Sequence, residues 1–183
     1  MSIPKSFSPT ALDYAILGLV NKNPLSGYGI RKEFETTALG NFSSSPGSIY
    51  PALNRLQKQG LIIKWTTENK KQKFFVTSTG KEILIQWFLQ PIEKKDITHR
   101  LNELLLRFGL MGTLLTKEQK IEFLHSLAEM VKKYIEELQR YYDSPLFDDL
   151  PLQGKLAFEH GLVSYRTTLN WCKKSTVTLK KLG

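Results

Sequence analysis

The 183-residue chain is poor in the residue types that build most catalytic and metal centres. It holds one cysteine, Cys172, so no internal disulfide can form, which fits a reducing compartment. Its three histidines, His99, His125 and His160, lie far apart, and neither CxxC nor HExxH spacing occurs. No cofactor or metal is expected. The histidines lack a carboxylate partner at useful spacing, and Cys172 falls on the apolar seam of the last helix, where a thiol is buried and inert. The chain therefore does not read as an enzyme. No apolar run approaches the ~20 residues that span a bilayer. The N-terminus, Met1 to Lys5, lacks the apolar core of a signal peptide. These absences point to a cytoplasmic protein with no membrane partner.

What is present is an ordinary globular composition with a basic excess. Hydrophobic residues make up 41% and charged residues 23%, which argues against global disorder. The net charge is +9. Residues 1–92 hold 11 Lys and Arg against 5 Asp and Glu, or +6, and residues 93–183 hold 15 against 12, or +3. A basic N-terminal half suggests a polyanionic partner, nucleic acid being the commonest. A merely soluble basic surface would look the same by charge alone.

The pattern along residues 1–92 is helix, helix, helix, hairpin, helix. Ser8-Pro9 reads as N-cap and first helical residue of helix one, with Leu12, Ala15, Ile16 and Leu19 on its apolar face. Ser26 caps a second helix carrying Tyr28, Ile30 and Phe34. A third runs from about Ser48 to Gln59, with Ile49, Ala52, Leu53 and Leu56 inward and Gly60 as C-terminal glycine. Pro51 is tolerable there only near the start. Leu61–Thr66 and Lys73–Thr77 read as two strands around a polar turn, Glu68–Gln72. Ser78 or Thr79 caps a fourth helix that ends before Pro91. Three helices and a two-stranded hairpin make the winged form of the helix-turn-helix.

Residues 93–183 read as helical. A short helix is expected over His99–Met111. Thr116 and Gln119 have capping-box spacing and open a long helix to Tyr142. Leu124, Ala128, Val131, Ile135, Leu138 and Tyr142 form one stripe on it. Asp143-Ser144-Pro145 breaks it, and a last helix from near Pro151 carries Phe158, Leu162, Tyr165, Leu169 and Cys172. Stripes this long suit an antiparallel pair or a second subunit. Leu138, Phe158, Leu162, Tyr165 and Leu169 are the candidate dimerisation residues. The fold class is mainly α: a winged helix-turn-helix with a β wing over 1–92 and an α-helical dimerisation domain over 93–183.

In a helix-turn-helix the second helix of the pair enters the major groove. The third helix here supplies Arg55 for guanine and Asn54 for adenine. Ser48, Tyr50, Pro51 and Lys58 would lie against the backbone, which positions without specifying. Lys70, Lys71 and Lys73 would give the wing a basic edge against phosphates. A solvated polar face is the plainer alternative for each.

The residues themselves resemble a known family. Ile16-Leu17-Gly18-Leu19 is followed by Pro24-Leu25-Ser26-Gly27-Tyr28-Gly29-Ile30, then by Pro46-Gly47-Ser48-Ile49-Tyr50-Pro51-Ala52-Leu53-Asn54-Arg55-Leu56 and Gly60-Leu61-Ile62. Phe75-Val76-Thr77-Ser78-Thr79-Gly80 leads out of the hairpin. These segments resemble the PadR family of regulators, named for a repressor of phenolic acid decarboxylase. Glu159-His160-Gly161-Leu162 and Trp171 are similar to the last helix of its longer class. The resemblance implies a homodimer with interlocking C-terminal helices, an inverted-repeat operator in double-stranded DNA, and a Tyr50 that faces it. Two departures stand out. Asn41–Ser45 precedes the Gly-Ser motif, with Phe42 in the usual aromatic place, and the wing carries lysines where arginine is common, which favours phosphate contact over base reading.

The family includes sensors of phenolic and other aromatic compounds. Trp87, Phe88, Phe108 and Trp171 are the candidate effector pocket, with core packing as the alternative. The functional expectation is a repressor, released by a small aromatic ligand. A helical protein-interaction module without an effector is the rival.

Overall fold

The computed structural model describes residues 7–37, 39, 45–66 and 72–181. It divides into two compact units, residues 1–90 with 105–114, and residues 91–104 with 115–183.

In the first unit, α1 spans Ala11–Lys22. Its cap is Thr10, two residues later than expected at Ser8. The reason is Asp13: its backbone N–H donates to Thr10 Oγ1 (3.3 Å), and its carboxylate accepts the Thr10 N–H (2.8 Å). Ser8 has Ala11 at the matching position and cannot complete such a reciprocal box. Helix α2 spans Gly27–Thr36 and is capped by Ser26, whose Oγ accepts the Gly29 N–H at 3.1 Å. Ile30 and Phe34 are fully buried, but Tyr28 is 63% exposed and so leaves the apolar face assigned to it.

Helix α3 spans Pro46–Lys58 and starts two residues before the expected Ser48. Ser45-Pro46 explains the shift, because it supplies an N-cap oxygen for the Gly47 N–H and a proline at the first helical position. Pro51 therefore lies inside the helix rather than at its start. It cannot donate to the Gly47 carbonyl, and both residues are exposed. The helix ends in a Schellman motif, with Gly60 at φ +68°, Gly60 N–H bonded to Gln57 O and Leu61 N–H to Leu56 O. A side chain with a Cβ would be strained at that φ.

Strands β1 (Ile62–Thr66) and β2 (Gln72–Val76) pair antiparallel, Ile62 opposite Val76 and Trp65 opposite Lys73. Phe74 N–H also donates to Leu25 O (2.8 Å), which ties the hairpin to the segment just before α2. Helix α4 spans Ser78–Phe88, and its cap is Thr77 rather than Ser78 or Thr79. Thr77 Oγ1 accepts the Gly80 N–H and donates to Gly60 O (2.7 Å), so one hydroxyl closes both the helix start and the end of α3. Ile16, Leu17, Ile30, Phe34, Ile49, Leu53, Leu56, Leu61, Leu84 and Phe88 form the core, each at most 1% exposed.

In the second unit, the single helix expected over His99–Met111 is two, α5 (Lys94–His99) and α6 (Leu101–Leu110), whose last six residues belong to the first unit. Arg100 interrupts them at φ −134°, ψ 29°. A Glu93/Asp96 capping box begins α5 earlier than the apolar spacing suggests. Helix α7 spans Lys117–Tyr142 behind the Thr116/Gln119 capping box. After the short α8 (Pro145–Asp148), α9 runs from Leu152 to Lys181 and packs along α7. The residues buried on α7 are Phe123, Leu124, Leu127 and Val131, a stripe at the 3.6-residue period rather than the four-and-three seam alone. Among the described residues no helix is long and apolar enough to cross a membrane.

Candidate nucleic-acid interface

Helix α3 has two unlike faces. Ile49, Ala52, Leu53 and Leu56 are at most 1% exposed, and that burial fixes which way the helix is rolled. The roll leaves Ser48, Tyr50, Pro51, Asn54, Arg55 and Lys58 all exposed. Pro51, Asn54, Arg55 and Lys58, with Gln57 and Gln59, line one shallow depression on that outer side. Every α3 residue named from sequence thus lies on one open surface. It offers an amide, a guanidinium and an ammonium, the donors that meet base edges and phosphates.

Tyr50 is 45% exposed, and its ring lies over Gly27 at the start of α2. A Cβ on Gly27 would come within 2.9 Å of the Tyr50 ring. Arg55 is not a free side chain. Its Nη2 donates to Asp13 Oδ1 at 2.6 Å, and its side chain keeps 42% of its surface exposed while Asp13 has none. Lys73 is half-buried on β2, opposite Trp65. Lys70, Lys71 and Phe42 lie outside the described residues.

Three further residues of the first unit were not among the site residues named from sequence. Asp13 could have been noticed as a carboxylate inside the apolar run from Leu12 to Val20. Tyr28 carries the Arg31 guanidinium 5.3 Å above its ring. Trp65 is 65% exposed on the wing, beside exposed Lys64. Strand alternation places Trp65 and Ile63 on the face opposite Ile62, which is a signal visible in sequence.

The aromatic residues assigned to an effector pocket are distributed differently. Trp87 and Phe88 are core residues, 5% and 1% exposed, with Trp87 stacked on Tyr14 at 4.2 Å and 2°. Arg107, 4% exposed, lies 6.0 Å from the Trp87 ring and donates to Phe88 O (2.9 Å) and Gln90 O (2.6 Å). Phe108 is half-buried on α6 of the first unit, and Trp171 is half-buried on α9 of the second.

The candidate dimerisation residues are engaged inside the second unit. Phe158 packs with Tyr141, Tyr142 and Phe147 at ring separations of 5.3, 6.4 and 5.4 Å. Tyr165 meets Tyr134 edge-on at 4.9 Å, and its hydroxyl donates to Ile97 O at 3.4 Å. Burial, then the neighbouring Tyr134, raises the Tyr165 phenol above its usual range. Leu162 is 4% exposed, and Leu138 and Leu169 are half-buried. On the outside of α9, Leu152, Leu156, Val163 and Val177 are between 51% and 64% exposed. Cys172 is buried, which pushes its thiol up to about 11. Among the described residues no three His, Cys, Asp or Glu side chains converge as a metal site.

Residues 16–86 match the family described as "Transcriptional regulator PadR-like family". The chain is also 33% identical over 162 residues to "Negative transcriptional regulator PadR" of Bacillus subtilis (strain 168), covering 83% of this chain and 85% of that protein. The chain belongs to the PadR-like family of transcriptional regulators. Similar solved structures include Bacillus subtilis PadR in complex with operator DNA, at 25% identity, TM-score 0.40, and coverage of 93% and 99% of the two chains. Another is the same protein in complex with p-coumaric acid, at 24% identity, TM-score 0.41, and coverage of 96% and 99%. The matched segment holds α2, α3 and both strands of the hairpin, so it contains the outer face of α3 described above.

Proposed function

We propose that this PadR-like regulator is a cytoplasmic repressor without catalytic activity that binds an inverted-repeat operator as a homodimer. Helix α3 of each subunit enters a major groove, and the wing lysines Lys70, Lys71 and Lys73 hold the flanking phosphates. The observation that carries this reading is the outer face of α3, where Ser48, Tyr50, Pro51, Asn54, Arg55 and Lys58 share one exposed surface over a fully buried apolar face. A solvated helix needs no such gathering of an amide, a guanidinium and an ammonium around one depression. The name of the Bacillus relative supports repression.

For the dimer, the outer stripe of α9 is the better candidate than the seam first assigned. Leu156 and Val163 are seven residues apart and Val177 lies two heptads beyond Val163, past Asn170, with Leu152 one turn before Leu156, and their exposure leaves apolar surface that a second copy would cover. Phe158, Leu162 and Tyr165 then act indirectly, by holding α9 on α7. The two basic halves of a dimer would span paired half-sites about one helical turn apart.

Release by a small aromatic acid completes the proposal. The test is a fluorescence titration of the upstream region of the chain's own gene at two salt concentrations, with random competitor, with and without p-coumaric acid. Tight binding that resists competitor is expected, weakened by the acid. Equal binding with the acid removes the effector while leaving the repressor. Absence of competitor-resistant binding, with partner capture retained by the helices, would favour a protein-interaction module instead.

A further inference from the structure

We propose that Asp13 is a positioning residue for DNA recognition: it holds the Arg55 guanidinium against α1, so that Arg55 acts as an oriented donor rather than a free cation. The inference rests on the DNA-binding reading above and adds a specificity determinant from outside α3.

Asp13 has no exposed surface, so it cannot itself meet DNA. Its three partners are fixed. Oδ2 accepts the Thr10 N–H (2.8 Å) and the Thr10 Oγ1–H (2.9 Å), and Oδ1 accepts Arg55 Nη2 (2.6 Å). The first two bonds belong to the α1 cap and hold the carboxylate rigidly. The third reaches across 42 residues of sequence to the outer face of α3. A carboxylate with no water contact requires a cation or strong donors, and Arg55 is the cation that meets it.

Three consequences follow for a ligand approaching α3. The guanidinium is planar, so fixing one of its nitrogens on Oδ1 sets the plane in which its remaining N–H groups point. Its 42% exposed surface presents that edge to the groove already ordered, which lowers the entropy lost on docking. The adjacent carboxylate also offsets the positive charge. Arg55 then adds little to the counterion release that drives binding to any duplex, and more to discrimination between sequences.

The substitution that isolates this role is Asp13→Asn. The amide oxygen can still accept the Thr10 N–H, so the α1 cap survives, while the negative charge is lost. Binding is read on a mixed-sequence 30-base-pair duplex and on the duplex from upstream of the chain's own gene. For Asp13→Asn, the slope of log affinity against log salt on the mixed-sequence duplex steepens by about 0.9, one added cation. The preference for the upstream duplex falls by roughly tenfold or more, the loss of about one oriented base contact. In an Arg55→Gln background, Asp13→Asn changes neither quantity, which ties the effect to the pair. A lowered melting temperature alone would move neither the slope nor this coupling.

Unchanged slope and preference in Asp13→Asn, with the wild type discriminating normally, would overturn the positioning role and leave the DNA reading standing. Equal effects of Asp13→Asn with and without Arg55 would also overturn it. A wild type that binds neither duplex would remove both readings together.

Discussion

Helices α3 and α9 place their apolar residues in opposite ways. Helix α3, 13 residues long, buries Ile49, Ala52, Leu53 and Leu56 almost completely and leaves a polar and basic face outside. Helix α9, 30 residues long, buries only Leu162, Cys172 and Thr176 and keeps Leu152, Leu156, Val163 and Val177 in the open. One helix is satisfied by its own unit, so its outer face is available for a polar ligand. The other has apolar residues on two sides, and one side finds its partner within the chain. The contrast teaches that a stripe of Leu and Val shows where burial must occur, but not which molecule supplies the cover.

The largest expected effect sharpens the α3 side of the contrast. Leu53→Ala removes a side chain 1% exposed from the centre of the first unit. A loss of about 2–5 kcal/mol in unfolding free energy is expected, read by thermal denaturation. On α9 the matching change, Leu156→Ala, should alter the stability of a single subunit by less than about 0.5 kcal/mol. A comparable loss in both, measured at dilutions where subunits are separate, would erase the distinction.

Next in size is the effect of charge on the α9 exterior. Leu156→Asp with Val163→Asp should convert dimer to monomer in sedimentation while helical circular dichroism persists. Leu162→Asp should instead unfold the second unit, because it buries a carboxylate between α7 and α9. A persisting dimer in the double variant would return the interface to the inner seam.

On the polar side, Gly27→Ala should push the Tyr50 ring off α2, given the 2.9 Å approach. Operator affinity should fall by roughly tenfold with little change in melting temperature, about what one lost contact is worth. Wild-type affinity would take the Tyr50 seat out of the site.

The smallest effect concerns Cys172. With its thiol at about 11, the thiolate fraction at pH 8 is about one in a thousand. Reaction with a disulfide reagent should be slow in the native protein and rapid after denaturation. Raising the pH toward 11 should speed the native reaction in step with ionisation. Fast labelling at pH 8 would mean that α9 opens locally there.

Much of the first unit was legible because local rules and burial agree. The apolar face of α3, the Gly60 stop and the two β-type runs around a polar turn all point the same way. The helix starts were missed where a better cap competed: Thr10 displaces Ser8, Thr77 displaces Ser78 or Thr79, and Ser45-Pro46 opens α3 two residues before Ser48. Each winner accepts a backbone N–H with its side-chain oxygen. The candidate site was legible as a set of exposed residues on α3. It was not legible as a connected structure, because the partner of Arg55 is 42 residues away on another helix. The packing of the α9 seam within its own unit was not legible for the same reason. Tyr134, Tyr141 and Phe147 satisfy it from within the unit, and sequence spacing cannot tell an internal partner from an external one.

The central claim, that α3 faces of two subunits read paired half-sites, is tested most directly by hydroxyl-radical footprinting on the upstream region of the chain's own gene. Two protected segments related by dyad symmetry are expected, with centres about 10 base pairs apart or at a multiple of that spacing. Both segments should be lost together in the Leu156→Asp, Val163→Asp variant. A single protected segment, or uniform protection without register, would contradict it.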